Sequence, residues 1–194
     1  MALTFVNPEA VLNEIEESAP TKGWPIIGPK RGKILDEVVE KHKPANILEV
    51  GTNVGYSAIR MGRHLKKGQK ITCVDISEDL AKVARSNFAK AGLSDRIEVV
   101  VGDALKVLPN LEGRFDMVFL DAVKEDYLTY LKSVEGLLHE GSVVVADNVK
   151  AFSSAVKPYL DYVRSSGKYS STYKEAPSNW GNDAPDAAEI SVRL

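Results

Sequence analysis

The chain has 194 residues, 44% of them hydrophobic and 27% charged, with a formal net charge of −2. That suits one enzyme-sized domain over residues 1–194, and offers too little positive charge to attract a polyphosphate backbone, so nucleic acid is not an expected partner. One cysteine, Cys73, has no disulfide partner, and Glu9, Glu14, Glu16 and Glu17 stand where a basic leader or a membrane span would be apolar; a reducing, cytoplasmic setting without membrane contact is expected.

Val11, Leu12 and Ile15 lie at helical spacing and predict a helix over residues 8–18, after which Pro20, Gly23, Pro25, Gly28 and Pro29 predict an ordered loop. A second stripe, Ile34, Leu35, Val38 and Val39, predicts a helix over 30–42. Together these form an N-terminal helical region, residues 1–45, expected to cover the site. Strands at 46–50, 71–75, 97–101, 115–120 and 142–146 then alternate with helices at 57–65, 79–91, 126–138 and 153–165. The basic cluster Arg63 to Lys67 falls at a helix end and reads as solvated charge. This alternation predicts an α/β fold with a doubly wound, mostly parallel sheet. Residues 168–174 and 189–194 add two strands around a polar connection, for seven strands with the last antiparallel.

Five of the apolar runs end in or meet an acid: Glu49, Asp75, Asp103, Asp121 and Asp147. Parallel strands point one way, so these carboxylates collect at the edge where open α/β sheets bind ligands. Their mutual repulsion calls for a cation or a ligand rich in hydroxyl or N–H groups. The turn from Glu49 to Ser57 carries Gly51 and Gly55, which would let the backbone pass close to a ligand. It is not the dinucleotide fingerprint, because Asn53 and Tyr56 stand where that pattern needs glycine. Glu49 is placed to help bind a cationic or amine-bearing ligand, and Asp75 to accept hydrogen bonds from ribose hydroxyls. Each acid by itself also suits a helix cap or solvent.

The segment 49–57, Asp75, Gly102-Asp103 and the later acids resemble class I S-adenosylmethionine-dependent methyltransferases. Segments 28–34, 55–61, 117–121 and 146–149 resemble the catechol O-methyltransferase family, and this likeness spans roughly residues 20–165. It implies a magnesium site made by Asp121, Asp147 and Asn148, a hard oxygen set that suits Mg²⁺ on chemical grounds as well. It implies Lys124 as the catalytic base, whose proton two neighbouring cations, Mg²⁺ and the sulfonium, would help to remove. Further cofactor contacts implied are Ile27, Tyr56, Ser57, Ile76, Asp103, Ala104 and Asp121. The implied substrate is a small-molecule catechol held by Lys124 and Asn148, with Trp24, Val123, Phe152 and Trp180 as the apolar wall.

Departures accompany the likeness. Val123 replaces a tryptophan, Phe152 a proline and Ala104 a polar residue, and a substrate-binding glutamate of the family has no clear counterpart, Asn179 or Trp180 falling nearest. Other readings are a methyltransferase acting on a non-catechol small molecule and a non-catalytic cofactor-binding module. Base-directed amino methylation calls for an Asp/Asn-Pro-Pro-aromatic run where this chain has Asp121-Ala122-Val123-Lys124. Regiochemistry and oligomeric state stay open.

Overall fold

The computed structural model describes residues 7–177, 179 and 184–194. Helix α1 (Pro8–Lys22) starts where the Asn7 side chain accepts the Glu9 amide and closes at the left-handed Gly23. It runs through Pro20, beyond the expected residue 18, because burial of Val11, Leu12, Ile15 and Ala19 outweighs one lost backbone hydrogen bond in the last turn. Helix α2 (Gly28–His42) starts two residues earlier than expected, since Pro29 sits in the first turn, where an amide N–H has no helical partner.

From there the chain alternates: β1 (Asn46–Val50), α3 (Tyr56–Gly62), β2 (Lys70–Asp75), α4 (Glu78–Lys90), β3 (Ile97–Val101), the one-turn α5 (Ala104–Val107), β4 (Phe115–Leu120), α6 (Tyr127–Val134), β5 (Leu138–Ala146), α7 (Lys157–Ser165), β6 (Tyr169–Ala176) and β7 (Asp186–Arg193). Strand β5 begins at Leu138 rather than 142. The Ser142 hydroxyl donates to the Phe115 carbonyl and accepts the His139 amide, which stabilises a register shift between β4 and β5. Helix α7 begins at Lys157 rather than 153, with Pro158 in its first turn. Helix α6 is shorter than the expected 126–138 because single 3₁₀ turns flank it.

The sheet order is β3-β2-β1-β4-β5-β7-β6. The pairs from β3 to β5 are parallel, and β7 runs antiparallel to both β5 and β6. Helices pack on both faces, so successive strand residues enter alternate cores: Ile47, Met117, Phe119 and Val143 in one, Leu48, Val118, Leu120 and Val144 in the other. Among the described residues no helix is long and apolar enough to cross a membrane. Register decides the next level of structure. Val50 pairs with both Val74 and Leu120, and Leu120 pairs with Ala146, which sets Gly51, Asp75, Asp121 and Asp147 abreast.

Candidate active site

A cavity of about 590 Å³ opens over the carboxyl ends of the strands. Its floor is the turn after β1. Gly51 has φ 94°, and a Cβ there would lie 2.2 Å from the Asp121 carbonyl oxygen; at Gly55, φ 86°, it would lie 2.4 Å from the Phe88 ring. Both glycines are therefore demanded by the protein packing on itself; Gly51 also lines the cavity, where the expected ligand approach would occur, whereas Gly55 does not. Asp75 ties this turn to β2. Its Oδ2 accepts the Thr52 and Asn53 amides at 2.9 and 2.7 Å, and its Oδ1 accepts the Ser77 amide at 2.9 Å. A carboxylate has about four acceptor positions, so one remains on this side chain, which lines the cavity.

Glu49 does not line the cavity, contrary to the expectation that it meets a ligand. It shares a strand face with Ile47, so its side chain points into the helix layer, where it is fully buried and accepts the Ser57 hydroxyl. Ser57 itself lines the cavity. The second Glu49 oxygen is buried without a hydrogen-bond partner, and burial pushes the carboxyl's pKa up to about 7. An acid with a raised folded-state pKa imposes no penalty below its unfolded value of roughly 4.3; the penalty grows as pH rises toward 7 and is complete above it. Glu49→Gln, which keeps an acceptor for Ser57, should therefore raise the thermal midpoint by roughly 5 °C at pH 8 and leave it nearly unchanged at pH 4. Calorimetric scans at the two pH values check this, and equal midpoints at pH 8 would contradict it.

Asp121, Asp147 and Asn148 converge beside the cavity. Asp121 and Asn148 line it, but Asp147 is fully buried rather than at an open edge, with Arg31, itself held by Asp186 at the start of β7, against its carboxylate. Neither Asp147 oxygen has a hydrogen-bond partner, and the Arg31 guanidinium approaches to 3.5 Å. Burial and the charge of Asp121 push the Asp147 carboxyl's pKa up. Asn148 adopts φ 60° and donates its Nδ2 to Asp186 Oδ2 at 2.7 Å, which leaves its amide oxygen free to accept. No group of three or more His, Cys, Asp or Glu side chains among the described residues suits a metal. The set here is two carboxylates and one amide oxygen. Beyond the Arg31 guanidinium, the two Asp147 oxygens have room to accept a further cation, and hard oxygen donors of this kind would fit Mg²⁺.

Lys124 opens a 3₁₀ turn and reaches back over the cavity. Its Nζ donates to Asp121 Oδ1 at 2.7 Å and to the Tyr127 hydroxyl at 2.8 Å, and that hydroxyl in turn donates to the Asp147 carbonyl. The rings of Tyr127 and Phe152 lie 5.2 and 5.9 Å from Nζ.

A nucleotide-sized cavity at the sheet's carboxyl edge, paired acids and an adjacent lysine together describe group-transfer machinery, and the sequence relationships agree. The family model described as O-methyltransferase matches residues 4–166. The chain belongs to the O-methyltransferase family. It is a class I S-adenosylmethionine-dependent methyltransferase resembling catechol O-methyltransferase. Catechol O-methyltransferase B of Danio rerio is 36% identical over 196 residues, covering 97% of this chain and 73% of that protein. The Mus musculus catechol O-methyltransferase is 34% identical over 175 residues, 86% of this chain and 65% of that enzyme, so the chain spans about two thirds of that relative. A Bacillus cereus O-methyltransferase, solved in complex with SAH, superposes with a TM-score of 0.85 at 27% identity, covering 95% of this chain and 91% of that one. The Streptomyces achromogenes O-methyltransferase TomG, solved with SAM, gives 0.84 at 26% identity over 95% and 89%.

In this O-methyltransferase Ile27, Tyr56, Ile76, Asp103 and Ala104 also line the cavity. Tyr56 is anchored through its hydroxyl to Glu16 at 2.5 Å, and Asp103 caps α5 through the Leu105 amide. Of the expected apolar wall, Val123 and Phe152 face the cavity and are half exposed, whereas Trp24 packs partly buried against the core and does not line it. Trp180 lies outside the described residues. Asn179 instead serves α2, accepting the Lys30 amide at 2.8 Å and donating to the Ile27 carbonyl at 2.7 Å. It supplies the cap that Ile27, with no side-chain oxygen, cannot. Sequence reasoning missed Arg31, Tyr127 and Asp186. Arg31 stood inside a segment used for the resemblance, but without a role; Tyr127 sits one turn beyond Lys124, which was a signal available to find it.

Proposed function

We propose that the protein transfers the methyl group of S-adenosylmethionine to one hydroxyl of a catechol, with Mg²⁺ held by Asp121, Asp147 and Asn148. The observation that carries this reading is Asp147, a fully buried carboxylate whose two oxygens lack hydrogen bonds, set beside Asp121 and an oriented Asn148 amide. Bound Mg²⁺ would supply Lewis-acid stabilisation of a phenolate and a template for two vicinal oxygens. The chain's own residues do the rest. Asp75 and the 51–53 turn take the cofactor ribose, Ile27 and Tyr56 flank its methionine part, and Ile76, Asp103 and Ala104 wall the base. Val123 and Phe152 hold the acceptor ring. Lys124 receives the phenolic proton at Nζ, held in place by Asp121 and Tyr127. The phenolate oxygen then bonds the methyl carbon as its bond to sulfur breaks. The buried lone cysteine, which has no disulfide partner, favours a reducing, cytoplasmic setting.

Transfer of labelled methyl from S-adenosylmethionine to a panel of catechols, with Mg²⁺ and with chelator, tests this directly. Magnesium-dependent label in a catechol is the expected result. Label only in monophenols or amines would replace the substrate, and no transfer to anything would favour the binding-module reading.

Asp75→Ala should weaken S-adenosylmethionine binding by about 10- to 100-fold in calorimetry, because it removes both an acceptor for the ribose and the ties to the turn. A ribose-deoxy analogue separates these two routes. If the variant loses as much affinity for the analogue as for the parent cofactor, Asp75 acts through the turn alone.

A further inference from the structure

We propose that Asp186 is the positioning residue for Asn148, fixing which end of that side-chain amide faces the cavity. The inference rests on the magnesium reading above. Asp186 opens β7, 38 residues beyond Asn148, and is buried beneath the loop that follows β5. Its two oxygens have separate duties. Oδ1 accepts three backbone amides, those of Lys150, Ala151 and Ala187 at 3.2, 3.0 and 2.8 Å, which fixes the carboxylate's orientation. Oδ2 is thereby turned toward the site, where it accepts Asn148 Nδ2 at 2.7 Å and Arg31 Nη1 at 2.8 Å.

The consequence follows from amide chemistry. An asparagine side chain presents a donor at one end and an acceptor at the other, and a cation accepts only the oxygen end. A flipped Asn148 would aim its oxygen at a carboxylate and its NH₂ at the cation, unfavourable at both ends. Asp186 thus decides Asn148's polarity and also holds Arg31 within 3.5 Å of Asp147. Partners of this outer kind typically alter metal affinity by about 10- to 100-fold.

An isosteric change tests this. In Asp186→Asn the three backbone amides still select the oxygen end of residue 186, so its NH₂ meets the NH₂ of Asn148 and Asn148 must flip. Calorimetric titration of Mg²⁺ into the full chain, without substrate, should show affinity reduced by about 10- to 100-fold relative to wild type. The double variant Asp186→Asn with Asn148→Asp reverses the donor and acceptor of the shared bond and returns an oxygen to the site. Asn148→Asp alone adds the same carboxylate but faces it to that of Asp186, so the double variant should bind Mg²⁺ more tightly than Asn148→Asp and recover affinity to within about threefold of wild type, which neither added charge nor a merely structural role for Asp186 predicts. Equal Mg²⁺ affinity in wild type and Asp186→Asn, or no recovery in a folded double variant, overturns the inference and leaves the magnesium reading standing. No Mg²⁺ binding by wild type overturns both. Should Asp186→Asn fail to fold, NMR of the wild-type Asn148 side-chain amide decides: protons protected from exchange support the bond to Asp186, and protons exchanging like those of exposed asparagines refute it.

Discussion

Asp147→Ala should reduce Mg²⁺-dependent methyl transfer by at least about 10³-fold while the protein stays folded. Loss of Lewis-acid stabilisation amounts to several kcal/mol, and each 1.36 kcal/mol is a factor of about ten in rate. The stability expectation runs the other way. Asp147 is completely buried beside Asp121, and what offsets its charge is the Arg31 guanidinium at 3.5 Å, the nearby Asn148 backbone amide and, more weakly, Lys124. A carboxylate in that position costs desolvation energy that its partners do not fully return. The thermal midpoint of Asp147→Ala in chelator should therefore equal or exceed that of wild type in chelator, and the stabilisation that added Mg²⁺ gives to wild type should vanish. Asp121→Ala should lose turnover similarly but without the stability gain, because Asp121 also anchors Lys124. Full activity of Asp147→Ala in chelator would sink the metal assignment.

Lys124→Ala should lower turnover by about 10²- to 10⁴-fold, the span associated with a lost general base, with smaller effects on cofactor and Mg²⁺ affinity. The structure makes this a sharper test than position alone. Lys124 Nζ is held by Asp121 and Tyr127 at the cavity wall, and Tyr127 keeps its own bond to the Asp147 carbonyl when the lysine is removed, so the surroundings should persist in the variant. Raising the pH should partly rescue Lys124→Ala, since solvent then supplies the phenolate. Lys124→Arg separates charge from proton transfer: a guanidinium can pair with Asp121 but does not give up or take a proton in this range. If Lys124→Arg turns over like wild type, the side chain serves as a charge only. Near wild-type turnover in Lys124→Ala at neutral pH removes it from the mechanism altogether.

Much of the architecture was legible along the chain because its determinants are local. Two-sided burial makes a parallel strand a continuous apolar run, and amphipathic helices repeat every 3.6 residues, so β1 to β5 and the helices between them are written in short-range pattern. Boundaries slipped where packing or a turn overrode propensity: Pro20 inside α1, Pro29 inside α2, and the early start of β5 at Leu138. The edge-on alignment of Asp75, Asp121 and Asp147 also followed from sequence, since parallel strands share one direction. Depth and pairing did not. That Glu49 and Asp147 are buried, that Gly51 makes room for the Asp121 carbonyl, and that Trp24 faces the core depend on what the neighbouring layers place around them. Asp186 bonds Asn148 from 38 positions away, Arg31 reaches Asp186 across 155, and Asn179 caps α2 from 149 beyond Lys30. No local period encodes such contacts. They exist only once β7 folds back against β5 and closes the sheet over the site, because a side chain's solvation and partners are properties of the packed whole rather than of its own segment.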